Sequence, residues 1–397
     1  MNYSIKPFTI NIPQQEIDDL KKRLSLSRFP PEKSAGFTHG APVNYLQKMA
    51  NYWQTRFDWK EQEAYLNSFP QYMAEINGQP VHFVHIKSPD ANAIPLLLIH
   101  GYPSSFVEFL QLSEMLAKPS AYGMSADLSF HLIIPSIPGF GFSIPSHQES
   151  WDLIKIAALF AELMTALGYE RFAVHGTDMG AGITGMLSAI AAHRLIGTHV
   201  NTDFTSITGM GMLPADTGSF SEEEKNTIAG FRNYEKNETA YLKILSTKPQ
   251  TLAHALTDSP VALLSWIIEK FSTWTNASKA LPEDAIALDL ILSNISLYWF
   301  NKLGASTSYT LYDSMNMSFD WGAQSQQSSE QSWQPPKVPS AMAAFGGDGA
   351  LLKKLLGPMG NPDKWSAYDE ALHFPAMECP SVLAKDIHAF FESVARK

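Results

Sequence analysis

The sequence predicts an α/β fold, a mostly parallel sheet covered by helices. From about residue 95, short apolar runs recur, each with Gly or Pro close to its end, and longer segments with apolar residues at three- and four-residue steps lie between them. Residues 96–99, 132–134 and 172–174 are unbroken apolar runs, as parallel strands buried on both faces require. Residues 106–116 and 153–167 carry the helical period. From Ile207 to about Gln334 this rhythm gives way to helical segments with several aromatics and a polar Gln/Ser tract, which reads as an inserted lid. Strand-then-helix order returns over residues 339–345, and residues 382–394 make a terminal amphipathic helix. Before residue 80, a charged helix former (13–26) and an aromatic-dense stretch (53–69) read as a wrap around the core, with a solvated arm as the alternative. The expected division is 1–80, 81–206, 207–334 and 335–397, with 324–334 a loop poor in apolar residues.

Composition narrows the function classes. The 397 residues are 45% hydrophobic, enough for a sizeable core, and a net charge of −10 leaves no basic footprint for nucleic acid or an anionic membrane surface. A single cysteine, Cys379, excludes an intramolecular disulfide framework and a cysteine zinc site. No stretch approaches the ~20 apolar residues of a spanning helix, and the N-terminus has no secretory pattern, so a soluble, cytoplasmic protein is expected.

The segment Phe172-Ala173-Val174-His175-Gly176-Thr177-Asp178-Met179-Gly180 runs from an apolar strand into a Gly-x-Asp-x-Gly turn and a helix. It has the form of a nucleophile elbow with Asp178 where serine usually stands. Such a turn strains its central residue and demands small neighbours, and the helix N-terminus after it favours negative charge. An aspartate that merely caps a helix would also fit. His100-Gly101-Tyr102-Pro103 follows the strand at 96–99 and opens the next helix, so backbone N–H groups at Tyr102 and Met179 could converge on a developing oxyanion. A plain turn would tolerate the same residues. The order strand, His-Gly loop, elbow is that of the α/β-hydrolase architecture.

A base is expected after the nucleophile. His373, in the loop Ala371-Leu372-His373-Phe374-Pro375 before the last helix, is the choice among twelve histidines. Its acidic partner is expected to be Asp348, in Phe345-Gly346-Gly347-Asp348-Gly349 at the end of the strand at 339–345, with Glu378 and Asp363 as alternatives.

With these residues in place the chain strongly resembles the microsomal-type epoxide hydrolases, including their soluble fungal members, over nearly its whole length. Phe8-Thr9-Ile10-Asn11-Ile12-Pro13, Leu20-Lys21-Lys22-Arg23-Leu24, Arg28-Phe29-Pro30, Asp58-Trp59-Lys60 and Leu66-Asn67-Ser68-Phe69-Pro70 are similar to that family's N-terminal region, which serine hydrolases and haloalkane dehalogenases lack. The resemblance implies Asp178 as nucleophile, His373 and Asp348 as its relay, and two lid tyrosines, Tyr241 and Tyr312, as donors to the epoxide oxygen. The implied activity is addition of water to an epoxide through a covalent ester, without metal or cofactor. The implied partner is a small-molecule epoxide, with homodimerisation left open. The chain departs from the family at Thr177, usually glycine, at Met179 and Tyr102, usually tryptophan, and at Ala371-Leu372, usually glycines. The membrane-anchored relatives begin with a spanning helix, and no such helix is expected here. A dehalogenase-like hydrolase, and a cyclase or non-hydrolytic protein on this fold, are the rival readings.

Overall fold

A computed structural model describes residues 3–145, 150–317, 337–357 and 360–395, so the tract at 324–334 lies outside the described residues. Nine strands form one sheet: β1 (Ser4–Phe8), β2 (Gln71–Ile76), β3 (Gln79–Ile86), β4 (Ile94–Ile99), β5 (Phe130–Pro135), β6 (Phe172–Gly176), β7 (Leu195–Thr202), β8 (Ser340–Phe345) and β9 (Lys364–Tyr368). Their order is β1-β2-β3-β5-β4-β6-β7-β8-β9. The five pairings from β5 to β9 are parallel and the three that attach β1, β2 and β3 are antiparallel. Leu96, Leu97, Leu98, Ile99, Leu132, Ile133, Ile134, Phe172, Ala173 and Val174 are fully buried, so the apolar runs are the middle of the sheet.

β7 and β9 do not advertise themselves by such runs. Thr198, His199 and Asn201 interrupt β7, yet all three are buried. His199 is satisfied on both nitrogens, by His175 Nδ1 and Asp386 Oδ2, each at 2.9 Å. Asp386 also accepts from Lys364 at 2.8 Å and from Tyr368 at 2.9 Å, both on β9. Polar side chains therefore replace apolar ones here, with both nitrogens of the buried His199 partnered.

The N-terminal segment contributes β1 and β2 to the sheet edge and three helices: α1 (Gln14–Ser25), α2 (Val43–Thr55) and α3 (Trp59–Asn67). Between β4 and β7 come α4 (Leu110–Ala117), α5 (Leu153–Ala166) and α6 (Met179–Ile190). The lid supplies α7 (Phe204–Gly209), α8 (Glu222–Glu238), α9 (Ala240–Leu245), α10 (Pro249–Asp258), α11 (Pro260–Trp274), α12 (Leu288–Phe300) and α13 (Leu303–Met315), and α14 (Gly349–Leu356), α15 (Pro375–Glu378) and α16 (Pro380–Ala395) complete the chain. Among the described residues no single helix is long and apolar enough to cross a membrane, and α10 and α11, apolar together, are bent by 116° at Pro260.

Aromatics of α2 reach the lid. The Trp53 indole donates to Ser296 Oγ at 3.0 Å, and the Tyr52 and Tyr45 hydroxyls donate to Asp289 and Glu283 at 2.9 and 2.6 Å. Within the segment, Glu63 on α3 is 7% exposed and accepts from the backbone N–H of Ile12 at 2.6 Å, the Trp59 indole at 3.1 Å and Lys60 Nζ at 2.6 Å. Removing that carboxylate leaves a backbone donor and an indole donor without a partner. Glu63→Ala should therefore cost about 2–3 kcal/mol in urea unfolding. A loss below about 0.5 kcal/mol, the size of an ordinary surface change, would show that these donors reach water instead.

Candidate active site

β6 ends at Gly176 and α6 begins at Met179, which leaves Asp178 at the apex with φ 51° and ψ −120°. Only close approach of the surrounding chain holds a non-glycine residue there. A Cβ on Gly180 would lie 2.0 Å from the Ile99 carbonyl oxygen, and one on Gly101 would lie 2.3 Å from Asp178 Cβ. The glycines at these two places let the ends of β4 and β6 meet under the carboxylate. Thr177 is accommodated: its N–H donates to the Ile99 oxygen at 3.1 Å, and its hydroxyl accepts from Asn201 Nδ2 at 3.0 Å.

Three of the expected residues converge. The Tyr102 N–H donates to Asp178 Oδ1 at 2.9 Å. His373 Nε2 stands 3.7 Å from Asp178 Oδ2. Met179 is buried at the first position of α6. The loop bearing Tyr102 is fastened by α12, where Asn294 Nδ2 donates to the Pro103 oxygen at 2.7 Å and the Tyr298 hydroxyl to the Ser104 oxygen at 2.9 Å. The Tyr102 hydroxyl, in turn, accepts from the Trp266 indole of α11.

The acidic partner is a correction. His373 Nδ1 meets Asp203 Oδ2 at 3.0 Å, with the Thr205 hydroxyl at 3.1 Å, and Asp348 is not among its partners. Asp203 follows β7, the strand beside that of Asp178, and is 1% exposed; its other oxygen caps α7 through the N–H groups of Thr205 and Ser206 at 2.6 and 3.3 Å. Asp348 instead stands at φ 50° before α14, where burial and the neighbouring charges of Glu223 and Asp369 push its carboxyl up. Asp203 lies one strand nearer Asp178 than Asp348 does, and it takes the place beside His373 expected of Asp348. Of the alternatives, Glu378 braces the His373 loop, accepting from the N–H groups of Leu372, Phe374 and Asn276 at 3.0, 3.3 and 2.7 Å. That brace fixes a loop in which Ala371 and Leu372 replace the expected glycines. Asp363 pairs with Lys337 at 2.6 Å.

The two tyrosines separate. Tyr241 on α9 packs on the Trp274 ring at 5.4 Å, and Trp274 packs on His373 at 4.8 Å. Burial, then the charge of Asp178, hold the Tyr241 phenol well above its usual value. Tyr312 on α13 is 38% exposed and lines a groove of about 590 Å³ with Lys248, His254 and Tyr309. No hydrogen bond or ring contact among the described residues ties Tyr312 to Asp178.

Charge sets the working state. Burial pulls His373 down, but Asp203, Asp178 and Glu108 together push it up to about 9. Burial opposes ionisation of Asp203 as well, and His373 and the Thr205 donors outweigh it, leaving that carboxyl below its ordinary value. Glu108, 1% exposed, is pushed up to about 7 by burial, with Asp178 adding to the rise and Ser104 and His373 opposing it. The resting His373 therefore carries a proton at neutral pH, and neutralising Asp178 weakens its hold on that proton. No group of His, Cys, Asp or Glu able to hold a metal ion occurs among the described residues.

Known proteins resemble this chain from end to end. Residues 5–109 match the family described as the epoxide hydrolase N terminus, and residues 94–237 match the alpha/beta hydrolase fold. Epoxide hydrolase 1 of Oryctolagus cuniculus is 33% identical over 99% of the chain and 90% of its own length. The chain belongs to the epoxide hydrolase family. The juvenile hormone epoxide hydrolase of Bombyx mori is 32% identical to it over 97% of the chain and 86% of its own length. The structure of the Aspergillus niger epoxide hydrolase superposes on this epoxide hydrolase with a TM-score of 0.80 at 30% identity, covering 98% of the chain and 97% of the other.

Sequence reasoning missed Asp203, although an aspartate one residue past a strand and two before a threonine carries the mark of a helix cap. It missed Glu108 and Lys270 too, which look like ordinary charges on helical turns. Two measurements check the corrected relay. Asp203→Asn should slow turnover by at least about a hundredfold, as loss of a relay carboxylate does elsewhere, while Asp348→Asn stays within about twofold; the reverse pattern would restore Asp348 as the partner. In NMR titrations the His373 midpoint should fall from about 9 in both Asp203→Asn and Asp178→Asn, and further in the former, whose charge acts most strongly on the ring.

Proposed function

We propose that this epoxide hydrolase opens its substrate through a covalent ester on Asp178. The observation that carries the reading is a single carboxylate at a strained apex, with a backbone donor on one oxygen and a buried imidazole beside the other. Asp178 Oδ attacks an epoxide carbon and the C–O bond on that carbon breaks. The oxygen that leaves takes the proton of the Tyr241 hydroxyl. The product is a hydroxyalkyl ester, and the Tyr241 phenolate regains its proton from water.

Esterification removes the Asp178 charge that helped to hold the proton on His373. His373 releases that proton to solvent and, now neutral and steered by Asp203, takes a proton from water, whose oxygen attacks the ester carbonyl carbon. The N–H groups of Tyr102 and Met179 receive the oxyanion; the first already bonds Asp178 Oδ1, and the second opens α6. Collapse of this intermediate breaks the ester C–O bond, the leaving alkoxide takes the proton from His373, and the diol and the Asp178 carboxylate are released. Tyr312 is proposed as the second phenol. Its helix is tied to that of Tyr241 through Asn316 Nδ2, which donates to the Ser246 oxygen at 3.0 Å just beyond α9.

Halide release is disfavoured by how the nearby indoles are used. The N–H of Trp266 is committed to the Tyr102 hydroxyl and that of Trp274 to the Tyr234 hydroxyl, which leaves neither free to hold a halide ion.

Single turnover of a styrene-type epoxide in heavy-oxygen water tests the ester. The first diol should carry enzyme oxygen and the label should enter Asp178, His373→Gln should accumulate an adduct one substrate mass above the protein, and Asp178→Ala should be inactive. A first diol carrying solvent oxygen would mean direct attack by water. Tyr241→Phe and Tyr312→Phe should each slow alkylation by roughly ten- to a thousandfold with little change in ester hydrolysis. Slowing by Tyr241→Phe alone would leave a single phenol as the acid and Tyr312 as groove wall.

A further inference from the structure

Lys270 lies on α11 one turn from both Trp266 and Trp274, so the three side chains share one helix face. That face covers the site: Trp266 donates to Tyr102, and Trp274 packs on Tyr241 and His373. A lysine normally threads its ammonium to water. Lys270 does not; it is 2% exposed. Its Nζ pairs with Glu269 Oε1 at 2.5 Å and stands 4.5 Å from the centre of the Tyr241 ring and 5.6 Å from that of Trp266. A buried ammonium needs compensation on several sides, and here two aromatic faces supply what one carboxylate leaves undone.

The surroundings of Tyr241 otherwise oppose a negative charge on it. Burial is the largest influence, followed by Asp178, Tyr234, Tyr102 and Asp203, and all of them favour keeping the phenol proton. Glu269 on α11 and Glu238 at the end of α8 are the remaining acidic groups around Lys270; Glu238 is pushed up by burial and drawn back by the Lys270 charge. A phenol so placed is a poor acid unless something offsets the charge that forms as its proton leaves.

We propose that Lys270 is a positioning residue for the reaction: its ammonium, held on the face of the Tyr241 ring, stabilises the phenolate left when Tyr241 gives its proton to the opening epoxide oxygen. The role rests on Tyr241 as the acid of the first step. The ammonium touches neither substrate nor nucleophile and keeps its own protons throughout. The ring moves from neutral to anionic beneath a fixed positive charge, so the contact strengthens as the transition state forms.

Rapid-mixing kinetics on an activated epoxide tests this. Lys270→Met should slow alkylation on the order of tenfold, the scale of a desolvated cation–π contact, and leave ester hydrolysis unchanged. Lys270→Arg, which keeps a cation over the ring, should recover most of the rate. In a Tyr241→Phe background, Lys270→Met should have no further effect on alkylation, because the charge it stabilises no longer forms. Should Lys270→Met fail to fold, Glu269→Gln keeps the ammonium and removes its counter-ion, and alkylation should be held or quickened. Equal slowing by Lys270→Met with and without Tyr241, equal loss in Met and Arg variants, or slowing by Glu269→Gln would each make Lys270 a packing residue. If Tyr241→Phe alone leaves alkylation intact, the acid assignment itself falls and this role falls with it.

Discussion

The backbone of Asp178 is the constraint on which the rest of the site depends. A non-glycine residue at φ 51° is uphill by itself, and it stays there because β4 and β6 close beneath it with no space for a side chain at Gly101 or Gly180. Once the apex is fixed, the carboxylate has few directions left. One oxygen falls on the N–H of Tyr102, and the other faces the loop that carries His373. The parallel strand order brings these loops to one edge, since β4, β6 and β7 are neighbours and each ends on that edge.

Electrostatics couples the charged groups that this geometry brings together. His373 sits between the carboxylates of Asp178 and Asp203, with the buried carboxyl of Glu108 in electrostatic reach. While Asp178 is charged, the imidazole holds its proton strongly and does not compete as a base. Neutralising Asp178 removes one of those charges and weakens the hold of His373 on its proton.

The N-terminal segment and the lid act as one clamp over this edge. Tyr45, Tyr52 and Trp53 of α2 are hydrogen-bonded to lid residues, and α12 holds the loop of Tyr102 by Asn294 and Tyr298. Through α12 those contacts reach the loop whose backbone N–H donates to Asp178. α11 adds the indoles and the buried ammonium packed around Tyr241 on the lid's inner face.

Local chemistry is what the chain announces by itself. Uninterrupted apolar runs identified the middle strands, and a strand, a Gly-x-Asp-x-Gly turn and a helix identified Asp178, because the strain of that turn leaves so few residue types that can stand around it. His373 was readable from its loop before a terminal helix. β7 was not, since Thr198, His199 and Asn201 look polar until His175 and Asp386 are seen to satisfy His199. Tertiary structure alone chose Asp203 over Asp348 as the partner of a histidine 170 residues away, turned Tyr241 and Tyr312 to different surroundings, and buried Lys270 against a phenol. The reason is physical: backbone strain is dictated by adjacent residues and so is written locally. A buried ion's partner depends on which distant strands and helices are brought within a few ångströms, and no local pattern carries that distance.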